Sequence, residues 1–269
     1  MNLDLVGQTA VIVGGARGIG AAIAAGFAAE KANLALIDLA HDVCATAKML
    51  QDRFGVQTLS ILADVTNSHA LEKAAQDIRA AWQRIDHVIF AVGIGSGKYG
   101  FPFWNLKPED WGKVLEVNVI GAVNVAHAFT PALIDARRGT LLFLASVAGQ
   151  IGSQTDPPYS ASKAALINFA QCAAKDLAPY NVRVNSLCPG MVKTALNRSI
   201  WEAWNRLQPP DKQQSYDEWA EEKIRRVVPL GRWQTAEDIA AMAVFLASDR
   251  ASNVTGQTIN VDGGFVMHW

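Results

Sequence analysis

Cysteine is scarce in this 269-residue chain, and the three present form no pattern. Cys44, Cys172 and Cys188 make no C-x-x-C, and an odd count fits a reducing compartment rather than a disulfide framework. They read as small buried hydrophobes. Charge of neither sign is in excess: 24 Lys and Arg stand against 25 Asp and Glu, a net −1. That removes the electrostatic case for nucleic acid or an anionic membrane as partner. The densest basic group, Lys223, Arg225 and Arg226, runs into Val and Pro rather than further charge. Long hydrophobic runs are missing as well, and none approaches the length that spans a bilayer. The opening "MNLDLVGQTAVIVGG" lacks the basic region and apolar stretch of a signal peptide. A cytoplasmic protein with a small-molecule substrate and no metal is expected.

What is present is alternation. Short β-branched runs ("TAVIVGG", "NLALID", "QTLSILAD", "HVIFAV", "GTLLFLAS", "VRVNSLC", "GQTINV") alternate with alanine-rich helical patterns. Among these are "GIGAAIAAGFAAEKA", a long helix starting near Pro108, and "TAEDIAAMAVFLASD" capped by Thr235. Strands apolar on both faces imply a parallel sheet covered on both sides. The expected fold is α/β: one doubly wound Rossmann-type domain over residues 1–269, seven parallel strands, helices on both faces. Ligands of such folds gather at the carboxyl ends of the strands. One irregular insertion is expected at 197–228, polar and tryptophan-bearing.

Two glycine loops compete for a dinucleotide. "GIGSGKYG" matches G-x-G-x-x-G at Gly95, Gly97 and Gly100, but runs into "FPFWNL", where Pro102 and the aromatics prevent an immediate helix. "VIVGGARGIGAAIAAGF" joins a strand directly to a helix, with Gly14, Gly18 and Gly20 spaced for a tight turn. Backbone N–H groups at that helix start can approach a pyrophosphate. The second loop passes the context test and the first fails it. Asp38 ends the second strand, where a carboxylate accepts from both ribose hydroxyls and repels a 2′-phosphate. Leu39 follows, not arginine. NAD is therefore expected over NADP, with Arg17 inside the loop as the contrary signal.

Tyr159 and Lys163 stand four apart, on one face of a small, apolar helix. A lysine beside the phenol would lower the tyrosine pKa toward neutrality and make it a general acid/base. Ser146, ending an apolar strand, could donate to the same substrate oxygen.

The glycine loop, Asp38, Ser146, Tyr159 and Lys163, in this order, resemble the short-chain dehydrogenase/reductase family over nearly the whole chain. The resemblance implies hydride transfer between a nicotinamide and an alcohol or ketone. It makes Asn118, in "LEVNVIG", a fourth catalytic residue that relays protons through water. It adds Asp64 and Val65 near the adenine, with Ile19, Ala91 and Gly93 as further cofactor contacts. In "VNSLCPGMVKT" it places Pro189, Gly190, Val192 and Thr194 at the nicotinamide end. Two departures stand out: Val13 replaces the family's threonine, and Phe90-Ala91-Val92-Gly93 replaces its N-N-A-G. A repacked, more apolar strand end is expected there.

The loop after Gly93 and the insertion after Thr194 face the nicotinamide in this family. Here they carry Tyr99, Phe101, Phe103, Trp104, Trp201, Trp204 and Trp219. Together these suggest an aromatic-walled pocket under a mobile lid, with Lys98, Asp156, Trp201 and Trp204 as substrate residues. A sugar, polyol or cyclic alcohol suits such a pocket. The alternatives are a 3-oxoacyl-thioester reductase using NADP and a non-catalytic NAD-binding sensor. The apolar "VMHW" terminus is expected at an interface of a homotetramer.

Overall fold

Successive residues of the first strand, β1 (Thr9–Val13), point to opposite faces, and both faces are dry. Ala10 and Ile12 join one hydrophobic cluster, Val11 and Val13 the other, all of them fully buried. The same alternation runs through β2 (Asn33–Asp38), β4 (His87–Phe90) and β5 (Gly139–Leu144). This is the packing that continuous apolar strands demand. With β3 (Thr58–Leu62), β6 (Val182–Pro189) and β7 (Thr258–Val261) they form a parallel sheet of order β3-β2-β1-β4-β5-β6-β7. The computed structural model describes residues 3–152 and 155–267, apart from the Leu196 side chain.

One face is covered by α1 (Gly18–Ala29), α2 (Asp42–Phe54) and α9 (Ala236–Ala247), which supply Ile23, Phe27, Leu50, Ile239 and Val244 to its core. The other is covered by α3 (Ser68–Trp82), α5 (Gly121–Ala136) and α6 (Pro157–Leu177). There Phe90, Phe129 and Phe143 are fully buried, each worth about 1.5–3 kcal/mol. Thr235 caps α9 as expected, accepting from the Asp238 N–H while Asp238 accepts from the Thr235 N–H.

The long helix expected from near Pro108 is present, while other expectations need correction. A short helix, α4 (Glu109–Leu115), continues through a π turn at Glu116–Ile120 into α5, giving one helical stretch, Glu109–Ala136. By length and composition it could cross a membrane, although no apolar run in the sequence suggested it. Its apolar face, with Val125, Phe129 and Leu133, lies in the core instead. The insertion at 197–228 is helical rather than irregular: α7 (Ala195–Asn205) and α8 (Tyr216–Val227), the latter opened by a Ser215–Glu218 capping box. Only Cys188 is a buried thiol; Cys44 and Cys172 are exposed. Of the terminal "VMHW", Val266 packs on the core and Met267 is exposed, while His268 and Trp269 lie outside the described residues.

The C-terminus of α9 has no basic residue in its own last turn, and Arg183 of β6 serves in its place. Its guanidinium donates to Leu246 O (2.7 Å), Ala247 O (3.1 Å) and Ser248 O (3.0 Å). A cation on carbonyls that have no intrahelical partner stabilises both the helix end and the sheet edge. Arg183→Met keeps much of the stem but loses these bonds. It is expected to lower the unfolding free energy by about 2–3 kcal/mol, read as a lower urea midpoint at unchanged slope.

Candidate active site

The carboxyl ends of β1, β2, β4, β5 and β6 bring the sequence-predicted residues to one edge of the sheet. Gly14 leaves β1 at φ +90°, a left-handed conformation, with its N–H on Ile37 O at 2.7 Å. A Cβ on Gly20 would collide with the Gly14 carbonyl oxygen. The loop is therefore closed tightly enough that only glycine fits. Asp38 braces it from the next strand: Oδ2 accepts from Ala16 N–H and Oδ1 from Ala40 N–H, each at 3.0 Å. A carboxylate has about four acceptor sites, so two remain for ligand hydroxyls. The Arg17 residue is exposed, and its guanidinium forms no hydrogen bond or ion pair among the described residues.

At the end of β4 the lost asparagines are replaced by packing. Phe90 is buried against Phe143, ring centroids 6.4 Å apart, and Val92 packs on the same core. Ala91 N–H donates to Val13 O at 2.8 Å. The apolar strand end expected from the sequence is present. Asp64 accepts from the Thr66 N–H and hydroxyl at 2.9 Å each, and the former above all holds its pKa below the usual carboxylate range.

The loop carrying Gly95, Gly97 and Gly100 is no phosphate cradle, because several of its amides are already engaged. Ile94 N–H donates to Asn118 Oδ1 (2.9 Å), Ser96 N–H to Asp156 Oδ2 (2.8 Å) and Gly100 N–H to Thr155 O (2.8 Å). Asn118 lies on the π turn, fully buried, and returns a bond from Nδ2 to Ile94 O at 2.9 Å. Its Nδ2 also donates to Ser162 Oγ, which donates to the Tyr159 carbonyl at 2.7 Å. A π turn adds one residue to the helical ladder and re-aims a side chain. Here the side chain so placed is Asn118.

Tyr159 and Lys163 share a face of α6, with the Lys163 ammonium 5.5 Å from the phenol ring centroid. Lys163 Nζ donates to Leu144 O at 2.8 Å and Val92 O at 3.5 Å. Gly93 lies beneath it: a Cβ there would stand 3.0 Å from Nζ. Ser146, just past the end of β5, accepts from Ala148 N–H at 3.1 Å, and its hydroxyl is near enough to the Tyr159 phenol to favour the phenolate. The expectation of a Tyr159 pKa near neutrality is overturned for the chain alone. Burial pushes the phenol up to about 12, and the Ser146 hydroxyl opposes that only in part. Burial also pushes Lys163 down to about 8, and its protons go to backbone carbonyls rather than to the phenol. Desolvation outweighs the pairing read from the sequence.

The segment after β6 is fixed by Gln234, whose Oε1 accepts from Met191 N–H at 2.7 Å, and by a bridge between Val192 and Gln234. Pro189 ends the strand, and Gly190 N–H donates to Val261 O at 3.1 Å. Thr194 caps α7, accepting from Asn197 N–H at 3.2 Å.

The residues expected to line a substrate pocket divide. Asp156 is buried at the start of Tyr159's own helix. Lys98 is drawn aside to Asp110, at 2.7 Å. Trp201 and Trp204 instead pack with Tyr216, Trp219 and Ala220 in a small cluster that Trp233, beyond the insertion, also joins. Phe103 and Trp104 are exposed and meet each other edge to face, centroids 5.2 Å apart. Sequence reasoning missed Ser162, Gln234, Thr46, whose hydroxyl donates to Ala16 O at 2.7 Å, and Asn124, which donates to Val65 O at 2.9 Å. Only Asn124, in "GAVNVAHA", gave a signal, as a polar residue in an otherwise apolar stretch.

Comparison with known proteins agrees with this fold. The family model described as enoyl-(acyl carrier protein) reductase matches residues 14–266. The chain is 32% identical to the 3-oxoacyl-[acyl-carrier-protein] reductase of Chlamydia trachomatis, over 97% of this chain and 98% of that protein. Its fold matches L-sorbose reductase from Gluconobacter frateurii, solved with NADPH and L-sorbose, at TM-score 0.90 and 27% identity over all of both chains. It matches NAD+-bound xylitol dehydrogenase at TM-score 0.89 and 28% identity, over 97% of this chain and all of that one.

Proposed function

Because the chain belongs to the short-chain dehydrogenase/reductase family, and is thus a nicotinamide-dependent oxidoreductase acting on CH–OH groups, we propose NAD as its cofactor and a sugar, polyol or cyclic alcohol as its substrate. The glycine loop fits the pyrophosphate, since the lack of a Cβ at Gly20 lets it close on Gly14 beside the start of α1, where backbone amides can meet a phosphate. Asp38 carries the choice of NAD. A 2′-phosphate would meet this carboxylate, and Leu39, 70% exposed, offers no compensating charge.

Bound NAD supplies the hydride acceptor. Tyr159 takes the hydroxyl proton during alcohol oxidation and returns it during ketone reduction. Ser146 orients the reacting oxygen by donating to it. Lys163, cationic below about pH 8, favours the phenolate form of Tyr159. Asn118 holds the loop at Ile94 and, through Ser162, the Tyr159 backbone, which places it to organise the proton's exit. The paired helices α7 and α8 serve as the lid.

A panel of sugar alcohols, secondary alcohols and 3-oxoacyl thioesters, each with NAD(H) and NADP(H), tests this reading. A polyol with NAD is expected to give the highest kcat/KM. Faster reduction of a 3-oxoacyl thioester with NADPH would overturn it in favour of the chemistry of the Chlamydia relative. In the same assay Asp38→Ser is expected to lower kcat/KM with NAD by about tenfold or more, while NADP improves.

A further inference from the structure

Gln234 grips one residue from two sides. It lies between α8 and α9 and is only 6% exposed. Its N–H donates to Met191 O at 3.0 Å, and its Oε1 accepts from Met191 N–H at 2.7 Å. Nε2 donates to Arg232 O at 3.2 Å. Both polar backbone groups of Met191, itself buried, are therefore taken by this glutamine. The amide is closely fitted: a Cβ on Gly190 would stand 2.7 Å from Oε1, and one on Gly263 2.8 Å from Nε2. Met191 and Gln234 also stand at the two roots of the α7–α8 pair. There Met191, Ile224 and Val228 form a small core, with Val227 and Trp233 packed beside it.

The sheet order says what lies near this clasp. Ala145 N–H donates to Leu187 O at 2.8 Å, so the chain leaves β6 next to Ser146. A dinucleotide whose adenosine meets Asp38 on β2, and whose pyrophosphate meets the loop after β1, has only one way to reach Tyr159. Its other half must run toward β5 and β6. We propose that Gln234 is a positioning residue: by clasping Met191 it fixes the backbone of residues 190–194 where that backbone meets the nicotinamide half of the cofactor. This rests on the cofactor reading above. Without the side-chain acceptor, a buried N–H is left unpaired and the segment is released. The glycine loop and Asp38 keep their own bonds, which do not involve Gln234.

The test measures by isothermal titration the affinity for NADH and for ADP-ribose, which keeps the adenosine, the pyrophosphate and the second ribose but has no nicotinamide. The wild type is compared with Gln234→Met, similar in length but without an acceptor, and with Gln234→Glu, which keeps an acceptor for Met191. In Gln234→Met the Kd for NADH is expected to rise about tenfold or more, while that for ADP-ribose stays within about twofold of wild type. Gln234→Glu should show the same selective loss at smaller size, about threefold to fivefold, and carries the comparison if the methionine variant does not fold. Equal losses for the two ligands, or no loss for either, leave Gln234 a structural residue and overturn the proposal, even where the melting temperature falls. If the wild type binds NADPH more tightly than NADH, it is the choice of NAD that has failed. NADPH and the 2′-phosphate of ADP-ribose then decide the proposal in the same way. A wild type that binds neither dinucleotide overturns both readings.

Discussion

Tyr159→Phe is expected to lower kcat for alcohol oxidation by at least about a thousandfold while the Kd for NAD stays within about threefold. Only the phenolic oxygen is removed. The ring would remain near Lys163, whose bonds to Leu144 O and Val92 O do not involve the phenol. The glycine loop and Asp38 depend on neither residue. Near-normal turnover in this variant would remove Tyr159 from the proton-transfer role. The pH dependence gives a second readout. Burial raises the phenol to about 12, so it is protonated at neutral pH and the phenolate that oxidation needs is the minor form. Wild-type oxidation should therefore rise with pH, by up to about tenfold per unit while the phenolate is scarce. Reduction uses the protonated phenol and should lack that rise. Loss of the Lys163 charge above about pH 8 removes an aid to ionisation and should flatten the upper part of the rise. The limb assigned to Tyr159 should be missing from the phenylalanine variant.

Gly20→Ala should weaken NAD binding by about a hundredfold or more and lower the melting temperature, for a steric reason. The added Cβ meets the Gly14 carbonyl oxygen and presses on Ala91 Cβ at 3.4 Å. Gly14 cannot retreat, since its N–H is held by Ile37 O at 2.7 Å and a Cβ of its own would be 3.0 Å from Ala91 C. The loop itself would have to shift, and with it the amides offered to the pyrophosphate. Gly18→Ala is the internal control. Nothing lies within 4 Å of a Cβ there, and the penalty is only the positive φ of +58°, about 1–2 kcal/mol. Isothermal titration with NAD and thermal melts on both variants separate steric from conformational cost. Equal losses of affinity in the two would sink the steric argument.

Much of the fold is visible in the chain because its signals are local. Ala10, Val11, Ile12 and Val13 are all apolar, and only a strand covered on both faces has room for that. The choice between the two glycine loops is equally local: one passes into helix at Gly18 and the other into Pro102. The α7–α8 pair was missed because its apolar residues are sparse, although the Ser215–Glu218 cap was there to be read. Aromatic residues misled for a different reason. Composition cannot say whether Trp201 and Trp204 face a substrate or each other's neighbours, and here they close a core of their own.

The sequence by itself determined the parallel, doubly wound sheet, the glycine loop that joins strand to helix, and the spacing of Tyr159 and Lys163. Each depends on backbone sterics or on a period of two or 3.6 residues, which neighbours in the chain settle among themselves. The tertiary structure alone decided the partners: Asn118 with Ile94 and Ser162, Lys163 with Leu144, Lys98 with Asp110. It also reversed the expected pKa of Tyr159 and left one oxygen of Asp156 without a hydrogen-bond partner among the described residues. Desolvation and hydrogen-bond satisfaction depend on groups distant in sequence, so these properties did not exist until the chain was folded.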